Sequence, residues 1–202
     1  MTVEEFQEAL SSKNPTPGGG TASAIALGQS ASLVAMVANL TIGNEKWLDG
    51  WKASEAALDL ANSVIRESAI LATKDSDSFD EVMAAFKLPR NTDEEKNIRR
   101  ETIRNSTLLA AEIPYKTALL ALDLLEAMKP LSMHGNANAI SDVGVAALLA
   151  TAGCKGALFN VEINLNSLPS EYGTEIREDY VRINDECRAI SKEIMHNVKS
   201  RL

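Results

Sequence analysis

The chain has 202 residues, 45% of them hydrophobic and 24% charged, which suits one domain with a substantial core. Its net charge of −8 excludes nucleic acid as the main partner, because neutralising phosphates takes clustered Lys and Arg, yet a locally positive field can still hold a small anion. Aromatics make up only 4% and alanine is abundant, so closely spaced helices are favoured over a β-sandwich.

The first stretch, "MTVEEFQEALSSK", is acidic and amphipathic, with Thr2 and Glu5 at capping-box spacing. It predicts a short helix over residues 3–10. It lacks the basic start and apolar centre of a signal peptide, so a cytoplasmic protein is expected. "NPTPGGGTASA" follows as a Gly-rich turn, then a helix from about Thr21 to Thr41. Along it Gly20, Ala24, Gly28 and Ser32 form a ridge of small side chains that lets another helix approach closely. Residues 22–43 hold no Asp, Glu, Lys or Arg and are long enough to span a bilayer. Gln29, Ser30, Ser32, Asn39 and Thr41, and the Ala- and Ser-rich make-up, point instead to a central helix sheathed by others, with no membrane partner.

A second long helical run over residues 51–86 is stopped by Pro89. Thr92 and Glu95 cap the next helix, expected to reach about Met128 and to kink at Pro114. "KPLSMHGNANAISD" reads as a turn-rich connection to a fifth helix, Ile140 to about Asn160. Ile176, Tyr180, Ile183, Cys187, Ile190, Ile194 and Val198 alternate by fours and threes, the buried stripe of a last amphipathic helix. The expected fold is all-α: a multihelical up-and-down bundle of long helices, one domain over residues 1–202.

Four groups carry chemistry. Gly18, Gly19 and Gly20 before a helix start can offer backbone N–H groups to a carboxylate, phosphate or carbonyl, or can be a plain turn. The run matches neither a Walker loop nor a dinucleotide fingerprint. In "KDSDSFDE", Asp77, Asp80 and Glu81 read as a solvated face. Asp75 shares a face with Phe79, and a carboxylate beside an apolar stripe is either paired or poised for proton transfer. Asn138, Ser141 and Asp142 crowd the first turn of the fifth helix, where capping accounts for one or two of them. Asn160 and Asn164 stand one turn apart in apolar surroundings and need partners in the protein or in a ligand. His134 and His196 have no companion at ligand spacing, so no metal is expected; Cys154 and Cys187 read as buried thiols.

"SKNPTPGGGTASA", "MVANLTIG", "DSFDEVMAAFKLPRNTDEEK", "NANAISDVGVAALLA" and "ALFNVEINL" occur in this order over nearly the whole chain. Together they resemble the formiminotetrahydrofolate cyclodeaminase/methenyltetrahydrofolate cyclohydrolase family. The resemblance implies a folate-binding cleft near a subunit interface, a homodimer or higher homo-oligomer formed through helices, and no cofactor beyond the tetrahydrofolate substrate. A separate formiminotransferase is a possible partner. Position by position, the family's glycine turn falls on Pro17, Gly18, Gly19 and Gly20, with Lys13 and Asn39 in the adjoining motifs. Its acidic helix motif falls on Thr73, Asp75 and Phe79, so the first acidic position is threonine here. Its later motifs fall on Asn138, Ser141 and Asp142, and on Asn160 and Asn164. The expectation is catalysis by Asp75 and Asp142, with the remaining polar and glycine positions binding substrate. The expected reaction turns 5-formiminotetrahydrofolate into 5,10-methenyltetrahydrofolate with release of ammonia. The alternatives are hydrolysis of the methenyl compound to 10-formyltetrahydrofolate, and a non-catalytic module binding folate or a partner protein.

Overall fold

The capping box of Thr2 and Glu5 forms and starts α1, Val3–Leu10, none of whose residues is buried. The structure is a computed structural model describing all 202 residues, and it contains six α-helices and no strand. α2 is Gly19–Thr41, α3 Trp51–Phe86, α4 Asp93–His134, α5 Ile140–Asn166 and α6 Thr174–Arg201. α2 lies between α3 and α5, α4 closes the other side of that pair, and α6 packs on α4 and α5. The main core draws Leu27, Val34 and Val37 from α2, Leu124, Leu125 and Met128 from α4, and Ile183, Cys187 and Ile194 from α6.

The small-residue ridge on α2 sets its distance from α3. Gly20 faces Asp75, Ala24 packs with Leu71 and Ala72, and Gly28 faces Ser68, so the two helices run antiparallel at close approach. Ser32, the ridge's fourth member, is exposed and bonds back to the Gly28 carbonyl. On the other flank of α2, Gly153 and Gly156 of α5 admit Ser23 and Leu27, and Ser30 Oγ donates to the Ala146 carbonyl at 2.7 Å. α2 and α5 are both long and apolar enough to cross a membrane, but 56% and 50% of their apolar stretches are buried in the bundle. Their apolarity is used against neighbouring helices.

Several boundaries depart from the sequence reading. α2 begins at Gly19, inside the glycine run. α4 continues through Pro114 and Pro130 to His134, so half of the expected connection is helix and the turn shrinks to residues 135–139. Pro114 removes the donor that would reach the Ala110 carbonyl four residues back. Asn164 Nδ2 takes that carbonyl at 2.7 Å, which lets the helix run on. At the opposite end of the bundle, buried Asn136 ties the turn to α2: its backbone N–H donates to Thr41 Oγ1 at 3.0 Å and its Nδ2 to the Leu40 carbonyl at 2.9 Å. α5 extends to Asn166, six residues past the expected end.

Candidate functional site

A cleft of about 220 Å³ opens where the start of α2 meets the last third of α3 and the last turns of α5. Gly18, Gly19 and Gly20 form one wall, Asp75, Phe79 and Val82 the second, and Asn160, Ile163 and Asn164 the third, with Ala110 of α4 below. Three of the four sequence-read groups therefore meet in one place.

Asp75 is half-buried, and no Lys or Arg lies within ion-pair distance. Thr21 Oγ1 donates to its Oδ2 at 2.9 Å and also lies 3.1 Å from Ser76 Oγ. Burial raises the Asp75 pKa above the ordinary carboxylate value; hydrogen bonds from the Thr21 side chain and backbone oppose this but do not cancel it. The result is a carboxylate oriented by neutral donors and left more basic than usual.

The glycines have distinct duties. A methyl on Gly20 would overlap the Asp75 carboxylate, so only glycine permits this approach. A methyl on Gly19 would meet nothing nearer than Asn160 Nδ2 at 3.9 Å and would project into the cleft. Gly18 is the extended N-cap of α2, with no side chain to satisfy the first-turn N–H groups, so those of Gly19 and Gly20 have no capping partner in the chain.

Both asparagines commit their amide nitrogens to the protein. Asn160 Nδ2 donates to the Gly156 carbonyl at 2.9 Å, and Asn164 Nδ2 to that of Ala110 at 2.7 Å. Each keeps a side-chain oxygen as a free acceptor at the cleft.

The other expected site residues lie elsewhere in the protomer. Pro17 turns away from the cleft toward Thr73 and Ser76, and Lys13 is exposed in the segment before α2. Asn39, Asn138, Ser141 and Asp142 gather at the opposite end of the bundle. Asp142 and Asn160 are eighteen residues apart on α5, about 27 Å at 1.5 Å per residue. Capping does not account for this group, because the side chains of Asn138, Ser141 and Asp142 make no hydrogen bond within the protomer and Asn136 supplies the local cap. The sequence reading missed Thr21, the hydroxyl that orients Asp75. Its signal was position: the first side chain after the glycine run, one residue from the Gly20 contact.

The sequence matches the family model described as Formiminotransferase-cyclodeaminase over residues 2–181. It is 35% identical to the methenyltetrahydrofolate cyclohydrolase of Methylorubrum extorquens over 100% of this chain and 97% of that one. It is 29% identical to the formimidoyltransferase-cyclodeaminase of Gallus gallus over 91% of this chain but only 34% of that longer protein. The crystal structure of formiminotetrahydrofolate cyclodeaminase from Thermotoga maritima superposes with a TM-score of 0.81 at 26% identity, covering 100% of this chain and 96% of that one.

Proposed function

Because the chain belongs to the formiminotransferase-cyclodeaminase family, whose members act as enzymes on folate-borne one-carbon units, we propose that it is a cytoplasmic 5,10-methenyltetrahydrofolate cyclohydrolase. The observation that carries this reading is a single basic carboxylate, Asp75, set in the cleft beside Gly19, Gly20, Asn160 and Asn164. The full-length resemblance to the Methylorubrum cyclohydrolase supports it.

The chemistry needs one general base. Asp75 holds a water molecule and accepts a proton as the water oxygen bonds to the methenyl carbon. The N5–carbon bond then breaks as N5 takes that proton back from Asp75, the hydroxyl proton leaves by way of Asp75 to solvent, and the carbon remains on N10 as a formyl group. A carboxylate raised by burial suits both transfers better than an ordinary one. The free oxygens of Asn160 and Asn164 accept from N–H groups on the pterin edge. The Gly19 and Gly20 N–H groups receive its carbonyl. No metal or cofactor is called on.

A second reading, cyclodeamination of 5-formiminotetrahydrofolate, is favoured by the likeness to the Thermotoga enzyme. It would use the same carboxylate to take the N10 proton and release ammonia. A separate formiminotransferase would then supply the substrate.

The active form is a homodimer paired through α5. Val145, Leu148, Phe159 and Ile163 are 48%, 55%, 63% and 69% exposed, far more than apolar side chains of a lone subunit need be. They line one stripe of α5 centred on Ala152. An antiparallel pairing of two such stripes would bring Ile163, on the rim of one cleft, beside the second copy's copy of the Ser141 turn. The unpartnered polar side chains of Asn138, Ser141 and Asp142 would then sit at the mouth of the opposite cleft.

The test is turnover. Purified protein should consume 5,10-methenyltetrahydrofolate above the spontaneous rate, and Asp75→Asn should abolish this with the fold intact. Ammonia release from 5-formiminotetrahydrofolate, without that hydrolysis, would select the second reading. Folate binding with neither reaction would leave a non-catalytic module.

A further inference from the structure

The proposed hydrolysis leaves Asp75 with a proton to lose. A methenyl cation and water give a neutral formyl compound and one proton, and during the reaction the cleft side of Asp75 faces the substrate. The carboxylate has a second side. Thr21 Oγ1 donates to Asp75 Oδ2 at 2.9 Å and lies 3.1 Å from Ser76 Oγ, a pair in which either hydroxyl can donate. Thr21 is 4% exposed, Ser76 half-buried and Asp77 exposed, so this chain of oxygens runs from the interior outward.

It ends in a second cavity. A hollow of about 250 Å³ behind the cleft is lined by Thr21, Thr73, Ser76 and Asp77, with Asp77 its one carboxylate, and it shares no lining residue with the cleft. Asp75 and Thr21 thus belong to different openings and are joined by their hydrogen bond. The hydroxyls are free for this use. Thr73 and Ser78, on the same turns of α3, donate to carbonyls of their own helix, at 3.3 Å to Ala69 and 2.9 Å to Asp75. Ser76 Oγ instead has its hydrogen-bond partner across the helix interface, in Thr21. The Thr21 hydroxyl likewise makes no bond to its own helix, unlike that of Ser23 two residues on.

We propose that Thr21 and Ser76 form a proton relay that empties Asp75 into this second cavity while the cleft is occupied. A half-turn of the protonated carboxyl group about its Cβ–Cγ bond exchanges its two oxygens in the same space and aims the O–H at Thr21 Oγ1. Thr21 passes its own hydroxyl proton to Ser76 Oγ, and Ser76 passes its own to water or to the Asp77 carboxylate in the hollow. Each hydroxyl keeps one proton, Asp75 is again a carboxylate, and one proton has left. Rotation of the two hydroxyls restores the original bonds. Cyclodeamination has no such need, since the proton taken from N10 leaves on ammonia. The relay therefore rests on the hydrolytic reading.

The test compares Ser76→Thr with Ser76→Val, which match in shape and differ in the hydroxyl. Asp75 keeps its bond from Thr21 in both, so KM and the acid limb of the rate profile should stay native. In methenyl hydrolysis at low buffer, Ser76→Thr should keep the native kcat. Ser76→Val should lose about a hundredfold, the lower end of what a positioned proton-transfer group contributes. Added imidazole, which titrates near neutrality, should restore kcat of Ser76→Val as its concentration rises and leave the native enzyme unchanged. Equal kcat for the two variants, or a Ser76→Val defect that imidazole does not relieve, would overturn the relay. So would an equal Ser76→Val defect in ammonia release from 5-formiminotetrahydrofolate, which would mark Ser76 as structural. A native protein that leaves the methenyl compound intact would overturn the reaction itself and, with no proton to carry, the relay with it.

Discussion

The bond from Asn164 to Ala110 separates a structural from a ligand-binding duty for the same side chain. Ala110 is 7% exposed, and its carbonyl has no main-chain donor because residue 114 is proline. Asn164→Leu keeps the approximate shape and removes the amide, so that carbonyl is left without a partner. An unsatisfied buried group costs about 1–3 kcal/mol. For a chain of this size that corresponds to a fall in Tm of about 2–12 °C. In a Pro114→Ala background the restored N–H points at the same carbonyl through the ordinary helical ladder. There the loss of Asn164 should cost close to nothing in stability. Urea or thermal unfolding of the two single variants and the double variant gives the coupling directly, and about 1 kcal/mol or more is expected. Additive effects, within about 0.5 kcal/mol, would show that the amide does not serve as the missing donor. Substrate KM should stay raised for Asn164→Leu in both backgrounds, because the side-chain oxygen at the cleft is not restored.

Gly20→Ala should displace the Asp75 carboxylate, lowering kcat and destabilising the fold by about 1–3 kcal/mol. Gly19→Ala should leave stability unchanged and raise KM, so steady-state kinetics with unfolding curves on both tests the division of duty between neighbouring glycines. Asp75 has its pKa raised in the fold, so its contribution to stability is fully present below the unfolded value of about 3.9 and is lost as pH rises through the folded value. Asp75→Asn should therefore be more stable than native protein at neutral pH, with the gap closing as pH falls below 3.9; a constant gap across pH 3–8 contradicts the assignment. The same shift places the acid limb of the native rate profile above the ordinary carboxylate range, since the base must be ionised to act. Leu148→Glu, on the exposed α5 stripe, should convert dimer to monomer in light scattering, and a native protein that is already monomeric would remove the α5 pairing.

The helical character of the chain was readable because the amphipathic patterns of α1 and α6, the proline stop after α3 and both capping boxes are local signals. The ridge of Gly20, Ala24 and Gly28 was equally plain on α2. Its counterpart, Asp75, Leu71 and Ser68, runs in reverse on α3. Which residue meets which depends on the length of the turn between the two helices, and that is invisible to periodicity. Asn164 was correctly singled out as an amide in need of a partner. The sequence even held a clue, since Pro114 leaves a carbonyl unserved, but pairing the two is a tertiary fact. The grouping of Asp142 with Asp75 failed within one protomer for a simple geometric reason. α5 has 27 residues, about 40 Å of helix, so motifs at its two ends cannot share a cleft without a second copy.

The distribution of charge gives these separate features one physical logic. A Lys or Arg beside Asp75 would have stabilised the carboxylate and lowered its basicity. The fold instead orients it with the Thr21 hydroxyl and admits it through a position without a Cβ. Arg99, Arg100 and Arg104 stand apart from it, beyond Val82 and Asn164 and toward the start of α4. On the proposed reading, a methenyl-bearing folate is cationic at its reacting end and anionic at its tail, and a cleft with a lone acid and arginines set apart from it would match that distribution. Exchanging the two ends would put like charge against like. The same separation keeps the arginines from lowering the basicity of Asp75, since a cation close by would favour its ionised form.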